Sequence, residues 1–153
     1  MTPTQFIKKT LVVACCLLTV SAGVYAADGF TINEKLLKAF QQTFPDATQV
    51  KWLEEPTGYQ VTFMQNNILT KVGYDKDGHF VGSLRYYSEK NLPVSVICAL
   101  QKKYAGKTVW GVTEHSTEIG TEYYIKLVDD RNWYTVSCDA DGNMQTVEKY
   151  KKS

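Results

Sequence analysis

The segment "LLKAFQQTFPDATQVKW" (Leu36–Trp52) decides the fold, because it has a second copy, "VICALQKKYAGKTVWGV" (Val96–Val112). The correspondence continues downstream, where "GYQVTFM" (58–64) matches "EYYIKLV" (122–128) and "TKVGYDKDG" (70–78) matches "YTVSCDADG" (134–142). The offset between matched positions grows from 60 to 64 residues, so the second copy holds about four extra residues between its first two strands. Repetition of this kind constrains the architecture, since each copy should form the same supersecondary unit.

Within each copy the hydrophobic period changes once, from helical to strand-like. Apolar residues first recur on one side of a helix, and afterwards they alternate with polar residues as in strands. The helical stripes consist of Leu36, Leu37, Phe40 and Phe44 in the first copy and of Val96, Ile97, Leu100 and Tyr104 in the second. Pro45 ends the first predicted helix, and Pro93 lies near the first turn of the second, where proline is tolerated. The sequence therefore predicts α-β-β-β-β, twice over.

Short, turn-rich links between the strands predict a meander in each copy. The expected fold class is α+β, with one antiparallel sheet of about eight strands and both helices on one face. The side chains expected to face the helices are Tyr59, Val61, Phe63, Val72 and Tyr74 in the first copy and Tyr123, Ile125, Leu127, Tyr134, Val136 and Cys138 in the second. Residues 27–153 then form a single domain made of two repeats, about 31–90 and 91–153.

Residues 1–26 are typical of a secretory signal peptide. Lys8 and Lys9 precede an apolar run of ten residues, Leu11–Val20, and small residues before Asp28 predict cleavage after Ala26. The run is too short to span a bilayer, which needs about 20 residues. A lipobox-like "VVAC" before Cys15 leaves too little apolar sequence ahead of the cysteine to favour a lipoprotein. The expected location is periplasmic or secreted.

The charge balance argues against two classes of partner. The chain has 17 basic and 16 acidic residues, and removal of Lys8 and Lys9 with the signal leaves it almost neutral. Neither a nucleic-acid footprint nor a polybasic membrane patch is present. Two cysteines remain after cleavage, Cys98 and Cys138. Export permits a disulfide between them, two free thiols are the alternative, and a metal site lacks further ligands at a usable spacing.

Two Asp-x-Asp-Gly segments suggest either calcium loops or tight turns. Their residues are Asp75, Asp77 and Gly78 in the first copy and Asp139, Asp141 and Gly142 in the second. A calcium loop of the EF-hand type needs a glutamate at its twelfth position, where this chain has Tyr86 and Tyr150. A tight turn explains the residues of both segments, because the first aspartate can accept backbone hydrogen bonds and the glycine readily adopts a positive φ. The turn is therefore the prediction, and no metal is expected.

The sequence offers little that is typical of an enzyme. Hydrolytic sites usually pair a nucleophile with a histidine, and the two histidines, His79 and His115, follow or precede predicted turns without a known motif around them. Phosphate-binding loops, H-E-x-x-H and C-x-x-C are absent from the sequence. We therefore expect neither catalysis nor a cofactor.

The segment "AFQQTFPDATQVKW", followed by "GYQVTF", "YDKDG" and "NLPVSVICALQKKY", resembles the PepSY-like family of beta-lactamase-inhibitor-like proteins, which are small exported proteins of Bacteroidetes-type bacteria. "FPDA-x-x-V-x-W" (44–52) is the most specific part, and the resemblance covers nearly all of residues 27–153. It implies a tandem α-β4 repeat with the helices packed on one antiparallel sheet. The second copy lacks counterparts of Pro45 and Asp46, and the family defines no catalytic residue to transfer.

Aromatic residues exceed what two small helices need for a core. This excess is typical of a binding surface, and the alternative is that the rings cover the sheet face or rest against loops. The residues in question are Trp52, Tyr86, Tyr87, Trp110, Tyr124 and Trp133. By alternation, Trp133 and Tyr124 should lie on the helix-free face with Lys126, Lys71 and Lys51. The hypothesis is a non-enzymatic module that binds a periplasmic or secreted protein or peptide through this face. The alternative is an envelope protein that binds a small ligand or a cation.

Overall fold

The computed structural model describes residues 32–153, and in them each copy has one helix followed by four strands. In chain order the elements are α1 (Glu34–Thr43), β1 (Thr48–Glu55), β2 (Gly58–Gln65), β3 (Ile68–Asp75), β4 (Phe80–Tyr87), a 3-10 turn (Glu89–Asn91), α2 (Val94–Lys103), β5 (Thr108–Thr117), β6 (Gly120–Val128), β7 (Asn132–Asp139) and β8 (Met144–Lys151). The predicted signal peptide and Cys15 lie outside the described residues. Neither helix in the described range is long and apolar enough to cross a membrane.

All eight strands form one antiparallel sheet in which the spatial order equals the chain order. The predicted fold is therefore confirmed, including the two helices. The two copies are joined by direct pairing of β4 with β5, where Ser83 lies opposite Ser116 and Arg85 lies opposite Glu114. The ladder therefore runs without a break from the first copy into the second.

Local sequence signals set the limits of both helices. The Asn33 side chain caps α1, because its Oδ1 accepts a hydrogen bond from the backbone N–H of Lys35 at 2.9 Å. In α2, Pro93 occupies the N-cap position, and Lys102 and Lys103 in the last turn interact favourably with the negative end of the helix dipole.

Each helix packs on the sheet through its predicted apolar stripe and forms its own core. The core under α1 contains the buried residues Leu36, Phe40, Trp52, Val61, Phe63 and Val72. The core under α2 contains the buried residues Leu92, Val96, Leu100, Val112, Tyr123, Ile125, Leu127, Tyr134, Val136 and Cys138. Tyr59 and Tyr74 pack at the margin of the first core, so the side chains predicted to face the helices do so.

Trp52 is one of the aromatic residues predicted to exceed the needs of the core, but it belongs to the first core. It is 3% exposed, and its ring contacts Phe40 edge-to-face with centroids 5.3 Å apart. The indole Nε1 is buried without a hydrogen-bond partner among the described residues. The equivalent position in the second copy is Val112, which shows that the copies fill the same site with very different volumes.

Both cores lie on the same face of the sheet, and the register shows why. Val72 of the first core pairs with Ser83, Ser83 pairs with Ser116, and Ser116 pairs with Thr121 of β6. Cross-strand partners point to the same side and side chains alternate along a strand. Tyr123, two residues after Thr121, therefore points to the same side as Val72. Within residues 32–153, neither helix lies on the other face of the sheet.

The register of the ladder shifts at four places, and two of these shifts lie at equivalent positions in β1 and β5. In β1 the register shifts between Thr48 and Lys51, and Gln49 between them has φ = 54°. In β5 the register shifts between Val109 and Gly111, which leaves Trp110 as the extra residue. A bulge bends its strand and redirects the inserted side chain, and the one in β5 matters for the candidate site.

The two Asp-x-Asp-Gly segments form the same turn. Oδ1 of Asp75 accepts hydrogen bonds from the backbone N–H groups of Asp77 and His79, each at 2.9 Å. Asp139 does the same for Asp141 and Asn143, at 3.0 and 2.9 Å. Gly78 and Gly142 follow with φ = 87° and 90°, a conformation that a residue with a β-carbon rarely adopts.

Cys98 and Cys138 are free thiols in the structure. Cys98 is exposed on α2, whereas Cys138 is buried in the second core. Burial raises the pKa of the Cys138 thiol to about 11. The two thiols therefore differ greatly in their access to reagents, and the raised pKa of Cys138 leaves little of that buried thiol as thiolate.

Replacing Gly78 by valine should lower the free energy of unfolding by about 1 kcal/mol or more, because a β-branched residue resists positive φ. Urea denaturation of residues 27–153 measures the effect. Gly111→Val is the matched control, since a β-carbon at Gly111 would meet no atom within 4 Å and the backbone there has no positive φ. An unchanged midpoint for Gly78→Val would contradict the turn assignment.

Alkylation should distinguish the two thiols in the folded protein. We expect iodoacetamide at pH 8 to modify Cys98 and to spare Cys138 until the protein unfolds, because Cys138 is buried with a raised pKa. Peptide mass analysis of native and urea-treated samples gives the measurement. Equal labelling of both cysteines in the native sample would show that Cys138 is accessible.

Candidate functional site

The helix-free face is defined by the row of cross-strand partners that alternates with the core residues. Lys51 on β1 pairs with Thr62, which pairs with Lys71, and the row continues through Leu84, His115 and Glu122. Lys126 and Tyr124 on β6 and Trp133 on β7 have the same orientation by alternation. All five residues predicted as a candidate interface therefore lie on this face.

The five residues do not form one cluster. Lys51 and Lys71 flank Thr62 in the first copy, whereas Lys126 and Trp133 belong to the second. Tyr124 lies four residues before Val128, the partner of Trp133, which is about 13 Å along the strand. Tyr124 and Trp133 therefore share the face without direct ring contact, and their participation in one interface stays a prediction.

The neighbours of Trp133 are Trp110 and Tyr150. The Trp110 and Trp133 rings meet edge-to-face with centroids 5.8 Å apart, and Tyr150 is the cross-strand partner of Trp133. Lys152 places its Nζ 5.6 Å from the Trp133 ring centroid, within the range of a cation–π contact. We call these four residues the aromatic patch. Trp110 is 70% exposed and Tyr150 is 54% exposed, so the patch presents broad ring surface to solvent.

A fixed polar border runs beside the aromatic patch. Lys126 Nζ donates to Thr135 Oγ1 and lies 3.5 Å from Glu148 Oε2, and the Thr135 hydroxyl donates to Glu148 at 2.8 Å. The hydrogen bond from Thr135 lowers the pKa of Glu148, and the hydrogen bond to Glu148 raises the pKa of Tyr150. These contacts hold long side chains in place next to the rings.

A depression lies on the same face where two glycines oppose each other. Gly73 of β3 pairs with Gly82 of β4, and the missing side chains leave a hollow of about 310 Å³. Its lining residues are Glu55, Gln60, Lys71, Gly73, Val81, Gly82, Ser83, Leu84, His115 and Thr117. We call this hollow the glycine socket. Apolar groups and backbone form most of its wall, and charged or polar side chains stand around it.

The helix-bearing face has a polar strip between the two cores. Arg85 Nη1 contacts both Glu114 carboxylate oxygens at 3.0 and 3.3 Å, and the Tyr87 hydroxyl donates to Glu114. Burial and the hydrogen bond to Glu114 raise the pKa of Tyr87. Tyr87 therefore hydrogen-bonds at the junction between the two copies, and its side chain does not lie on the helix-free face.

An open groove borders this strip on the α1 side. It has a volume of about 460 Å³ and lies between the end of α1, the β2–β3 turn, β3 and β4. Its lining residues are Thr43, Phe44, Gln65, Asn66, Ile68, Thr70, Val72, Tyr74, Phe80, Ser83 and Arg85. The groove is the feature that a small apolar ligand with a few polar groups would need.

Three side chains at the first turn come close enough together to suggest a metal site. Ligand atoms of Asp75, Asp77 and His79 lie within 4.8 Å of one another. Asp75 Oδ2 lies 3.0 Å from His79 Nδ1, and in the second turn Asn143 Nδ2 donates to Asp139 Oδ2 at 2.8 Å. His79 therefore contacts the first aspartate of its turn as Asn143 does in the second copy. The geometry of the turn explains why these three side chains lie close together.

The positions of Trp110 and Tyr150 in the aromatic patch could not be predicted from the sequence, for a different reason in each case. Strict alternation gives no reliable side for a residue at a bulge, so the orientation of Trp110 could not be read from its position. Tyr150 lies in the basic segment "KYKKS" (149–153), a composition that is typical of a solvated tail and gives no sign of an aromatic contact. Gly73 and Gly82 did carry a usable signal, because glycine inside a strand often marks close approach of another group.

Comparisons with known proteins show the fold. No family model matches the chain, and no curated protein matches it by sequence. The structure is similar to that of a BLIP-like protein from Bacteroides fragilis, with a TM-score of 0.61, 16% identity, and coverage of 81% of this chain and 89% of that chain. It is similar to a DUF2874 family protein from Bacteroides ovatus, with a TM-score of 0.60, 22% identity, and coverage of 80% and 89%.

A third similar structure comes from Bacteroides eggerthii and is described as one of the "putative periplasmic proteins". Its TM-score is 0.58 and its identity 18%, with 83% of this chain and 89% of that chain covered. The BLIP-like fold implied by the sequence resemblance is thus confirmed, whereas the PepSY-like assignment stays a resemblance.

The ion pair at the first turn predicts how His79 titrates. Its hydrogen bond to Asp75 raises the pKa of His79, so the contact should stabilise the protein fully below the unfolded-state pKa and weaken as pH rises through the folded-state pKa. NMR titration of the imidazole measures this, and Asp75→Asn should return the pKa toward its ordinary value. His115→Gln assigns the signals, and an equal His79 pKa with and without Asp75 would refute the contact.

Proposed function

We propose that this chain is an exported, non-enzymatic module that binds a protein partner through the helix-free face. The observation that carries the proposal is the aromatic patch, in which two tryptophans and one tyrosine project from paired strands and Lys152 follows directly after β8. Trp and Tyr are enriched at binding hot spots because they supply large, rigid contact area.

The strands hold the patch in place before any partner arrives. Trp133 lies on β7, which is paired with β6 on one side and β8 on the other, and Trp110 rests against its ring. Binding then orders few additional rotamers, which keeps the entropic cost low. The network of Lys126, Thr135 and Glu148 beside the rings provides a polar rim of the kind that surrounds hot spots.

The size of the face favours a protein over a small molecule. The glycine socket lies level with Thr117 of β5, and Trp110 is seven residues earlier on that strand, so the two features are separated by about 23 Å. A standard protein interface covers about 800 Å² on each partner, roughly 28 Å on a side. One such interface therefore reaches along β5 from the socket to Trp110.

The similar structures support the same proposal. One of them is a BLIP-like protein, and another is described among putative periplasmic proteins. The signal-like residues 1–26 agree with export. We extend a binding role to this chain by analogy of fold, to which the aromatic patch adds evidence from its own residues.

The titratable residues support a non-enzymatic role. His79 is engaged by Asp75 in a turn, and the thiol of Cys138 is buried with its pKa raised to about 11. Glu114, the least exposed carboxylate among the ion pairs of residues 32–153, is bound by Arg85 and Tyr87. Each of these groups has a structural partner that accounts for its position.

The groove on the helix-bearing face supports a second candidate, an envelope protein that binds a small ligand. Its apolar side is formed by residues such as Phe44, Ile68 and Phe80, and Arg85 lies on its polar side. Phe80 is 37% exposed, so a ligand in the groove would cover apolar surface that is now open to solvent. The two candidates use opposite faces, and face-specific variants therefore separate them.

A capture experiment tests the proposal. Immobilised residues 27–153 are incubated with envelope extract of the source bacterium, and bound proteins are quantified by mass spectrometry. We expect the Trp110→Ala, Trp133→Ala double variant to lose a captured protein by about 30-fold or more, which corresponds to about 2 kcal/mol for a hot spot.

Phe80→Ala is the matched control, because it removes an exposed ring from the opposite face. If the double variant and the wild type capture the same proteins equally while Phe80→Ala loses them, the helix-free face is the wrong one and the groove is used instead. Thermal melts of all variants show whether each is folded.

A further inference from the structure

The glycine socket assigns a more specific recognition element to the proposed interface. We propose that the socket receives a tyrosine side chain from an acidic loop of the protein partner. This inference rests on the proposed function, because it requires the helix-free face to be the binding surface.

The socket lies beside a register shift between β3 and β4, and its two glycines differ in how far the backbone requires them. A β-carbon on Gly82 would lie only 3.2 Å from the Ser116 carbonyl oxygen, whereas Gly73 is glycine by residue choice. A β-carbon on Gly73 would lie 3.8 Å from the Gly82 carbonyl oxygen and 3.9 Å from Val81 Cβ, which are ordinary contacts, and Gly73 has no positive φ. A larger residue would therefore fit at this position without strain. Glycine inside a strand weakens it and often marks a place where another group approaches closely.

An aromatic ring is the natural complement of paired glycines. In sheets, rings from neighbouring strands commonly cover glycines and so replace the missing packing. The described residues that line this socket include no Phe, Tyr or Trp, and the His115 imidazole borders Gly82, with Nε2 3.8 Å from the position of a β-carbon there. No ring of the described residues lies within 4 Å of a β-carbon placed on Gly73. The aliphatic side chains of Val81 and Leu84 instead leave an apolar surface beside the exposed backbone.

The polar groups around the socket favour a ring that carries a hydroxyl group. Lys71, Gln60 and His115 stand at its wall and can hydrogen-bond a phenol oxygen at the ring's tip. The Lys71 ammonium can also interact with the ring face. Tyrosine combines an apolar ring with a polar tip, and it fits this arrangement better than phenylalanine does.

The charges nearby indicate what should flank the tyrosine. Lys51 and Lys71 point from the same face on either side of Thr62, and none of the four ion pairs formed within residues 32–153 uses either lysine. Glu55 at the edge of the socket accepts a hydrogen bond from Gln60 at 3.4 Å. Two lysines without an ion-pair partner in residues 32–153 outnumber Glu55, the one carboxylate of the socket wall, and so favour acidic residues next to the inserted ring by complementarity of charge.

Short peptides test the inference without knowledge of the partner. The probe is acetyl-Asp-Tyr-Asp-amide, added to ¹⁵N-labelled residues 27–153 at low salt and followed by two-dimensional NMR. We expect saturable shifts of the Gly73 and Gly82 amide signals. Acetyl-Asp-Ala-Asp-amide and acetyl-Lys-Tyr-Lys-amide should each bind at least about tenfold more weakly, because they lack the ring and the complementary charge.

Variants then locate the binding on the socket. Gly73→Leu should abolish the shifts at Gly82, Gly73→Ala should weaken binding less, and Lys71→Glu should reverse the preference between acidic and basic peptides. The Ala and Glu variants keep the test decisive if Gly73→Leu does not fold. Binding that ignores the ring and the flanking charges, that leaves Gly73 and Gly82 unshifted, or that persists unchanged in Gly73→Leu would overturn the proposal.

The aromatic patch provides a separate control on the same face. The Trp110→Ala, Trp133→Ala double variant should bind the acidic tyrosine peptide as the wild type does, because the patch is about 23 Å from the socket. If this variant loses protein capture while no peptide binds to the wild type, the socket proposal fails and the binding face stands. If peptide binding is seen but no capture depends on either feature, the proposed function fails and the socket stands as a peptide site only.

Discussion

The alternation of side chains along one continuous eight-stranded ladder is the constraint on which the rest of the structure depends. Every strand position is committed to one of two faces, and both helices cover the same one. Neither α1 nor α2 covers the second face. On β7, neighbouring polar side chains cover part of this face instead, since Thr135 and Ser137 are only 7% and 5% exposed although they point away from both cores. Lys126 and Glu148 lie across Thr135 and cover it.

The two copies keep the same frame but have diverged at the positions that matter for recognition. The equivalent of Trp52, a core residue, is Val112, and the equivalent of Val50, which packs against the first core, is the exposed Trp110. The first strand of each copy thus has one tryptophan, which lies in the core in the first copy and on the surface in the second. The Asp75 turn, by contrast, is retained with His79 in the role that Asn143 has at Asp139. Turns and caps therefore preserve the architecture, while the first strand of each copy carries the change.

The sequence was sufficient to predict the repeat, the helix stripes, the sheet and which side chains face the helices, because these follow from local periodicity. It was insufficient for groupings that depend on where strands end up relative to each other. Trp133 could be placed on its face from alternation alone, but its contact with Trp110 depends on a bulge and its contact with Tyr150 on the β7–β8 register. The groove beside Arg85 likewise depends on how the end of α1 sits above β3 and β4, which no short segment encodes.

A sheet that has grown by duplication still has two open margins, β1 and β8, and nothing in the alternation of side chains limits further growth. The left-handed Gln49 and the broken register beside it distort one margin, and Glu148, Lys149 and Lys151 place charges along the other. Such features discourage a foreign strand from extending the ladder. The bulge in β1 therefore makes this edge a poor template for pairing with a second copy of the sheet. The equivalent bulge in β5 lies between two paired strands, where no edge needs protection, and it presents Trp110 on the surface.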